Sequence, residues 1–498
     1  MGRQQSRYVC QSCGAAHLRW EGQCRTCGGW NTLVETVVRE PDQKRRPMSV
    51  GADRGSRPQS LSNLSEPALV RTPTGISELD RVLGGGLVPG SVVLLGGEPG
   101  IGKSTLLLQA AAGLALGAEA ARAVGTAAGG VPAFGGTVAA DSGRDVLYAT
   151  GEESAGQVRL RAGRLGLLEG VPGDRIRVVA ESEVGRIVDM AQEMRPIVLV
   201  VDSIQTVTVD DLEGPAGSVG QVRECALRLM EVAKREGIAV IVVGHVTKDG
   251  TLAGPKTLEH LVDAVLSLEG ESNASLRLLR ATKNRFGSTE EVGVFEMAER
   301  GLEPLDDPSR AFLAESGQHA PGSVAGSTLE GTRPLLVEVQ ALVAPGGYGS
   351  PRRTAAGIDT NRLSLLIAVL GRRAGVGLGS HDVYANLAGG LSLTDPGLDL
   401  PLALALASSM RDRQVPKDLV AIGEVGLLGE LRSVPGLERR LREAARLGFR
   451  TAIVPKAHRG GPPDVTGIEV IAVSSLREAI THALTGATEP SDSGSERG

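Results

Sequence analysis

One short segment constrains the fold of this 498-residue chain more than any other feature. Gly97–Thr105 reads GEPGIGKST and fits the pattern GxxxxGK[ST]. An apolar run, Ser91–Leu95, precedes it, and a run of helix-forming residues, Thr105–Leu116, follows it. Glycines in such a loop let backbone N–H groups turn toward phosphate oxygens, and the helix N-terminus favours their negative charge. The strand–loop–helix order therefore predicts a nucleotide-binding site.

Two residues of this loop have particular roles in the predicted site. Lys103 is expected to meet the β- and γ-phosphate oxygens of ATP, and Ser104 to hold Mg²⁺. The residues expected to contact the nucleotide are Gly97, Glu98, Pro99, Gly100, Ile101, Gly102, Lys103, Ser104 and Thr105.

Short β-rich runs alternate with helical segments from about residue 75 to residue 302. This alternation predicts a parallel sheet with crossover helices, hence an α/β core. The candidate strands are Ser91–Leu95, Asp145–Ala149, Arg177–Val179, Ile197–Val201 and Ile238–Val243.

Acidic residues follow two of these strands, where a P-loop enzyme needs carboxylates. Asp202 comes directly after Ile197–Val201 and is the candidate for the acid on the metal side of the site. Glu152, or its neighbour Glu153, is the candidate for orienting the attacking water. The competing interpretations are that Asp202 only caps the next helix and that the two glutamates only favour a helix N-terminus. His245, at the end of another strand, is either a γ-phosphate sensor or a packing residue.

Four of the five cysteines form two CxxC pairs near the N-terminus. Four thiolates on two such pairs match a closed, structural Zn²⁺ site, and the alternative is a redox dithiol. Cys225 stands alone in an amphipathic segment and is interpreted as a core residue. The expected zinc ligands are Cys10, Cys13, Cys24 and Cys27.

Composition divides the chain and limits what it can bind. The net charge is −5 and only 11 residues are aromatic (Phe 5, Tyr 4, Trp 2), so base stacking cannot be the main device for holding a nucleic acid. No apolar run reaches the length of about 20 residues that a membrane span needs, and the thiols predict a reducing cytoplasm.

The expected organisation is a zinc finger at 1–35, a linker at 36–70, an ATPase domain at 71–302 with a mobile insertion at 117–144, a low-order linker at 303–331, a third domain at 332–485 and a disordered tail at 486–498.

Several blocks of the sequence resemble, in order, the bacterial RadA (Sms) family of DNA repair proteins. They are CQSCGAAHLRWEGQCRTCGGWNTLVE, GGEPGIGKST, YATGEES, VVDSIQTV, GSVGQVRE, GHVTKDGTLAGPKTLEHLVD and KNRFG.

The resemblance implies a RecA-like ATPase core that assembles as a homo-oligomeric ring, a hexamer, on single-stranded and branched DNA and promotes branch migration. It further implies a recombinase (RecA) and the replicative helicase as partners. Lys283 and Arg285, the basic residues of KNRFG, correspond to residues that such subunits insert into the adjacent ATP site. The loops 206–222 and 247–256 lie where RecA-like proteins contact DNA, and the residues expected to do so are Arg223, Lys248 and Lys256.

The third domain resembles the proteolytic domain of Lon, an α+β fold, most clearly at GEVGLLGELRSVPGL. Lon-type proteolysis needs a serine and a lysine, and the corresponding positions here hold Gly397 and Glu438. We therefore expect a scaffold without peptidase activity that serves ring assembly and contacts DNA through residues such as Arg352, Arg353 and Arg362. The alternatives to a DNA-dependent motor are a Lon-like ATP-dependent protease and a KaiC-like ATPase that switches protein partners.

Overall fold

The computed structural model describes eleven ranges of the chain, which group into two compact units. The first unit comprises residues up to 268 with 281–288 and 299–302, and the second comprises 269–280, 289–298 and the residues from 303 onward. No helix within these described ranges is long and apolar enough to cross a bilayer. The expected linker from residue 38, the insertion from residue 118 and the tail from residue 486 lie outside them. The described residues are 6–10, 16–37, 71–117, 145–168, 171–245, 258–270, 275–314, 320–347, 350–388, 395–456 and 461–485.

The N-terminal part of the first unit is a small antiparallel ribbon. Its strands lie in the order β2-β1-β3, and their only well-buried apolar side chains among the described residues are those of Cys10, Cys24 and Leu33. So small an apolar core cannot offset the chain entropy of folding, which is why a metal is expected to stabilise such a unit. The strands are β1 (Ser6–Cys10), β2 (Ala16–His17) and β3 (Leu33–Val37).

The rest of the first unit is built on a parallel sheet with crossover helices, so the predicted α/β core is confirmed. All five predicted strands are present, and six neighbouring strands of the sheet lie in the order β9-β4-β8-β7-β5-β6. The strands are β4 (Val92–Gly97), β5 (Val146–Thr150), β6 (Ile176–Ala180), β7 (Val198–Asp202), β8 (Ala239–His245) and β9 (Ala264–Glu269). The helices are α1 (Ser77–Leu83), α2 (Lys103–Leu116), α3 (Ala155–Arg164), α4 (Val171–Arg175), α5 (Val184–Met194) and α6 (Val219–Glu236).

The central strands are apolar along their whole length because helices cover both faces of a parallel sheet. Every residue of β4, β5 and β7 is buried. Parallel pairing also brings the carboxyl ends of the strands to one edge. There, Gly97 lies opposite His245, and Thr150 lies opposite Asp202. The topology thus gathers the candidate residues that follow four different strands.

The second unit is organised around a mixed sheet of seven strands in the order β15-β16-β14-β13-β17-β20-β21. The strands from residue 276 onward are β10 (Leu276–Asn284), β11 (Val292–Ala298), β12 (Gly301–Pro304), β13 (Ser323–Glu330), β14 (Arg333–Pro345), β15 (Arg353–Ala356), β16 (His381–Leu387), β17 (Leu419–Ala421), β18 (Glu424–Val425), β19 (Leu431–Arg432), β20 (Thr451–Pro455) and β21 (Glu469–Val473). The helices are α7 (Pro308–Ala314), α8 (Thr360–Val369, continued by a π turn, Leu370–Ala374), α9 (Asp399–Arg411), α10 (Leu437–Arg446) and α11 (Leu476–Thr485).

The expected low-order linker at 303–331 is wrong, because this stretch contains α7 and β13. Strand β13 pairs antiparallel with β14 over its whole length and parallel with β17. The strand β13 is hard to recognise because its sequence is rich in Gly and Ser. These small residues are present because a neighbouring helix packs closely against the strand. A Cβ atom at Gly326 would lie 2.7 Å from Cγ of Pro401, in α9. Only a small residue fits at that crossing.

The expected boundary of the ATPase domain at residue 302 also differs from the structure. Residues 269–280 and 289–298 group with the second unit, where β10 and β11 pair antiparallel. Leu276, Leu278, Val292 and Val294 are buried in the hydrophobic core of that unit. Because these side chains face the second core, the chain crosses between the two units several times.

A buried ion pair stabilises the second unit. Nη2 of Arg440, in α10, lies 2.6 Å from Oδ2 of Asp395, and the side chains are 2% and 8% exposed. The same carboxylate accepts hydrogen bonds from the backbone N–H groups of Gly397 and Leu329, each at 2.6 Å. These bonds offset the cost of burying the two charges.

We predict that Arg440→Ala lowers the free energy of unfolding by about 3–5 kcal/mol, because it leaves a buried carboxylate without its counter-charge. Urea unfolding of the full chain measures this. The control is Arg442→Ala on the same helix, whose pair with Glu438 is 67% and 54% exposed and should contribute less than about 1 kcal/mol. Equal losses for the two variants would contradict the assigned role of the buried pair.

Candidate functional site

The glycine-rich loop after β4 surrounds a buried ammonium group. Lys103 is 3% exposed, and its Nζ donates hydrogen bonds to the carbonyl oxygens of Gly97 (2.9 Å) and Glu98 (2.8 Å). Gly102, directly before α2, has a φ of +113°, which side-chain-bearing residues rarely adopt. A Cβ atom at Gly97 would lie 2.6 Å from the carbonyl oxygen of Leu268. Both glycines are thus required by backbone geometry.

The charge of Lys103 is balanced by two carboxylates. Burial lowers the pKa of this ammonium, and the negative charges of Asp202 and Glu152 oppose that shift. The structure therefore brings together the predicted phosphate-binding lysine and the two predicted carboxylates, which lie 50 to 100 residues apart in sequence. A polyphosphate and a divalent cation fit this arrangement, since the cation would take carboxylate and hydroxyl oxygens such as those of Asp202 and Ser104.

Asp202 is 7% exposed and has a partner that the sequence analysis missed. The hydroxyl group of Tyr148, in β5, donates a 2.7 Å hydrogen bond to Oδ2 of Asp202. Burial of the phenol, followed by the charge of Asp202, raises the pKa of Tyr148 well above its ordinary value. Tyr148 is therefore a neutral hydrogen-bond donor at any working pH. Its signal in the sequence was a single tyrosine within the apolar run 146–149.

The structure distinguishes between the two neighbouring glutamates. Oε1 of Glu152 accepts a 2.5 Å hydrogen bond from the Ser203 hydroxyl and lies 3.2 Å from Nε2 of His245. Glu153 instead forms an ion pair at 2.5 Å with Arg161, which lies in α3. Glu152 thus belongs to the cluster at the sheet edge, whereas Glu153 is held by Arg161 of the helix that follows it. Ser203 was not among the predicted residues.

His245 connects this cluster to the chain that leaves β8. Its carbonyl oxygen accepts a 3.2 Å hydrogen bond from the side-chain amide of Gln205. Its Nδ1 atom is buried and has no hydrogen-bond partner among the residues that the structure describes.

Lys283 and Arg285 of the KNRFG segment both have partners within the chain. Nζ of Lys283 donates to the carbonyl oxygens of Glu259 (2.6 Å) and Val262 (2.8 Å). Nη1 of Arg285 lies 3.2 Å from Oδ1 of Asp263, and the Arg285 side chain is 53% exposed. The lysine is thus engaged by backbone oxygens, while about half of the arginine side chain stays accessible to a further partner.

Of the three DNA-contacting residues predicted in the ATPase domain, only Arg223 falls within the described ranges. It lies exposed near the start of α6, and Lys248 and Lys256 lie outside those ranges. Gln221, also in α6, fixes the preceding loop by accepting a hydrogen bond from the N–H group of Val209 at 2.7 Å and donating to Leu212 O at 2.7 Å. The exposed tip of this loop carries three acidic residues, Asp210, Asp211 and Glu213. The negative charge of this tip is unfavourable for contacts with DNA phosphates. The basic part of the loop and helix is therefore the end that carries Arg223.

Three of the four predicted zinc ligands converge in the ribbon. The ligand atoms of Cys10, Cys24 and Cys27 lie within 4.8 Å of one another, and the Cys10 and Cys27 sulfurs are 3.6 Å apart. Sulfurs bonded tetrahedrally to zinc at about 2.3 Å are separated by roughly 3.8 Å, so the donor set fits this metal. Cys13 lies outside the described ranges.

Cys24 is prepared for metal binding by its surroundings. A backbone hydrogen bond from Cys27 is the main cause that lowers the pKa of its thiol to about 5, so that the thiolate dominates at neutral pH. His17, which the sequence analysis missed, places Nε2 at 3.4 Å from the Cys24 sulfur. By contrast, burial raises the pKa of Cys225 to about 12, in accordance with its prediction as a core residue.

The region that resembles a peptidase has no nucleophile at the expected position. A Cβ atom at Gly397 would lie 2.9 Å from Nη1 of Arg440, so the buried ion pair occupies the space next to this position. Glu438 is half exposed and pairs with Arg442 at 2.5 Å. Arg362, expected to contact DNA, instead donates to the buried Asp399 through Nε at 2.7 Å.

The fold and the loop around Lys103 define a P-loop ATPase. The AAA domain family matches residues 65–251, the rubredoxin metal-binding domain family matches residues 8–35, and the family described as subunit ChlI of Mg-chelatase matches residues 367–458. The zinc-ribbon and ATPase modules of the predicted fold class are thereby confirmed.

The full length of the chain is similar to curated bacterial proteins named DNA repair protein RadA. It is 45% identical to the Bacillus subtilis protein (98% of this chain, 100% of the relative), 46% to that of Pseudomonas aeruginosa (96% and 99%) and 44% to that of Escherichia coli (95% and 97%). The chain belongs to the RadA family.

We predict about one zinc ion per chain, since three thiols already converge and the fourth, that of Cys13, lies between Cys10 and Cys24 in the sequence. Cys24→Ser should lose the metal, while the control Cys225→Ala should retain it. Metal analysis of the purified full chain measures this. Both tryptophans of the protein, Trp20 and Trp30, lie in the ribbon, so their fluorescence reports its folding. A metal-free chain with unchanged tryptophan emission would contradict the structural role of zinc.

Proposed function

We propose that this protein is a DNA-dependent ATPase of recombinational repair, which acts as a ring-shaped oligomer and promotes branch migration. Its family membership supports a role in DNA repair. The observation that carries the proposal is the cluster of Glu152, Ser203 and His245 next to the buried Lys103. A site that only binds nucleotide does not need a second carboxylate held at that place.

Each residue of the cluster has one role in the proposed reaction. Lys103 neutralises the β- and γ-phosphate oxygens of ATP, and Ser104 with Asp202 would hold Mg²⁺, which supplies further charge neutralisation when bound. Glu152 orients the attacking water and accepts its proton. Ser203 fixes the Glu152 carboxylate through the 2.5 Å hydrogen bond.

His245 is the proposed link between hydrolysis and DNA. Its imidazole lies beside Glu152, and the chain that directly follows it contains Lys248 and Lys256. A change of charge at the γ-phosphate would move the hydrogen-bond partners of His245 and so the start of that basic segment. Lysines and arginines bind DNA phosphate groups whatever the base sequence, and a motor that moves along DNA requires contacts of this kind.

We predict that Glu152→Gln lowers the ATP hydrolysis rate at least about 100-fold while nucleotide binding persists, because the amide cannot accept the proton of the water. The control Glu153→Gln should hydrolyse ATP within a few-fold of the parent, since it alters only the pair with Arg161. Both rates are measured with and without single-stranded DNA. If the parent hydrolyses ATP equally fast in both conditions, the DNA-dependent function is wrong.

The ring is supported by the position of Arg285. An arginine that completes the ATP site of an adjacent subunit would stabilise the charge of the transition state and make hydrolysis depend on assembly. The accessible part of its guanidinium group, anchored on one side by Asp263, suits this role. Lys283, with two backbone carbonyls as partners, is the more constrained of the two basic residues.

We predict that two inactive variants restore each other when mixed. Lys103→Ala cannot bind nucleotide but still offers Arg285, whereas Arg285→Ala binds nucleotide but should lose on the order of 1000-fold in hydrolysis rate. In a mixed ring, the intact P-loop of one variant meets the intact arginine of the other. ATP hydrolysis should therefore reappear on mixing. A mixture as inactive as its components would show that Arg285 acts within its own subunit.

A further inference from the structure

Two hydrogen bonds run in opposite directions between the ends of the neighbouring strands β5 and β7. Tyr148 of β5 donates to Asp202 of β7, and Ser203, directly after β7, donates to Glu152, shortly after β5. Parallel pairing places Thr150 opposite Asp202. Each strand end therefore supplies one carboxylate and one hydroxyl group that positions the carboxylate of the other.

We propose that Tyr148 is the positioning residue for the metal-side carboxylate, and that it determines which oxygen of Asp202 is presented to the divalent cation. This inference rests on the proposed function of Asp202. Tyr148 is 1% exposed, so its hydroxyl group has little freedom to move. The 2.7 Å bond occupies Oδ2 of Asp202 and leaves Oδ1 for another partner.

The backbone reinforces this arrangement. The N–H group of Gly151 donates a 3.0 Å hydrogen bond to the carbonyl oxygen of Asp202, and a Cβ atom at Gly151 would lie 2.3 Å from Oγ1 of Thr206. The ends of β5 and β7 are thus packed closely against each other. Tyr148 and Asp202 cannot separate without breaking the hydrogen bond between Gly151 and Asp202, as a positioning pair requires. Groups that orient metal ligands typically change metal affinity or activity by about 10- to 100-fold when removed.

The test is Tyr148→Phe, which removes one oxygen atom and keeps the buried ring. We expect the Mg²⁺ concentration for half-maximal ATP hydrolysis to rise about 10-fold. We also expect the affinity for a fluorescent ADP analogue to fall in the presence of Mg²⁺ and to remain that of the parent in EDTA. The second readout reports on the cation directly and does not depend on catalysis.

Two matched variants make the result specific. Ser203→Ala should reduce the hydrolysis rate at saturating Mg²⁺ without moving the Mg²⁺ dependence, because it affects Glu152 only. Tyr384→Phe makes the same chemical change in the second unit and should change neither quantity.

The outcomes separate this inference from the proposed function. If Asp202→Asn shifts the Mg²⁺ dependence and Tyr148→Phe does not, Asp202 keeps its role and the positioning role of Tyr148 is wrong. If neither variant shifts it, Asp202 is not the metal-side acid, and the proposed site itself is wrong. A Tyr148→Phe protein that loses activity in proportion to its melting temperature, with normal Mg²⁺ dependence, would show that the hydroxyl group is only structural.

Discussion

The parallel hydrogen-bonding register of β4, β5, β7 and β8 is the constraint on which the nucleotide site depends. It brings the ends of four strands to one edge, so that Gly97 lies opposite His245 and Thr150 opposite Asp202. Because the strands are buried on both faces, their register cannot slip without exposing apolar side chains. A rigid sheet thus supports loops that must change their contacts when ATP is hydrolysed.

Electrostatic balance at this edge follows from the same geometry. An ammonium group as buried as that of Lys103 needs nearby negative charge, and Asp202 and Glu152 provide it. The carboxylates in turn need donors, which are Tyr148 and Ser203. The residues that position the site are therefore as buried as the sheet itself, whereas the residues proposed to act between subunits are exposed at its margin.

The second unit has a buried ion pair next to a position that the resemblance to Lon assigns to a catalytic residue. Where the resemblance to Lon places a nucleophile and a base, this chain has Gly397 and Glu438, and a buried ion pair between Arg440 and Asp395 occupies the neighbouring space. Restoring a serine at residue 397 would require that pair to move. The physical interaction that stabilises the domain is thus also an obstacle to peptidase chemistry.

The sequence by itself determined the P-loop, the alternating α/β core, the zinc-ligand pairs and the two carboxylate positions, because each is encoded in local spacing and apolar periodicity. It did not determine which of two adjacent glutamates faces the site, since that depends on contacts with Ser203 and His245, which lie 51 and 93 residues further along the chain than Glu152. Nor did it reveal Tyr148 as a partner of Asp202 or the strand around Gly326. These features depend on packing. The role of a hydroxyl group or a glycine is set by the residues that contact it, and only the tertiary structure determines those contacts.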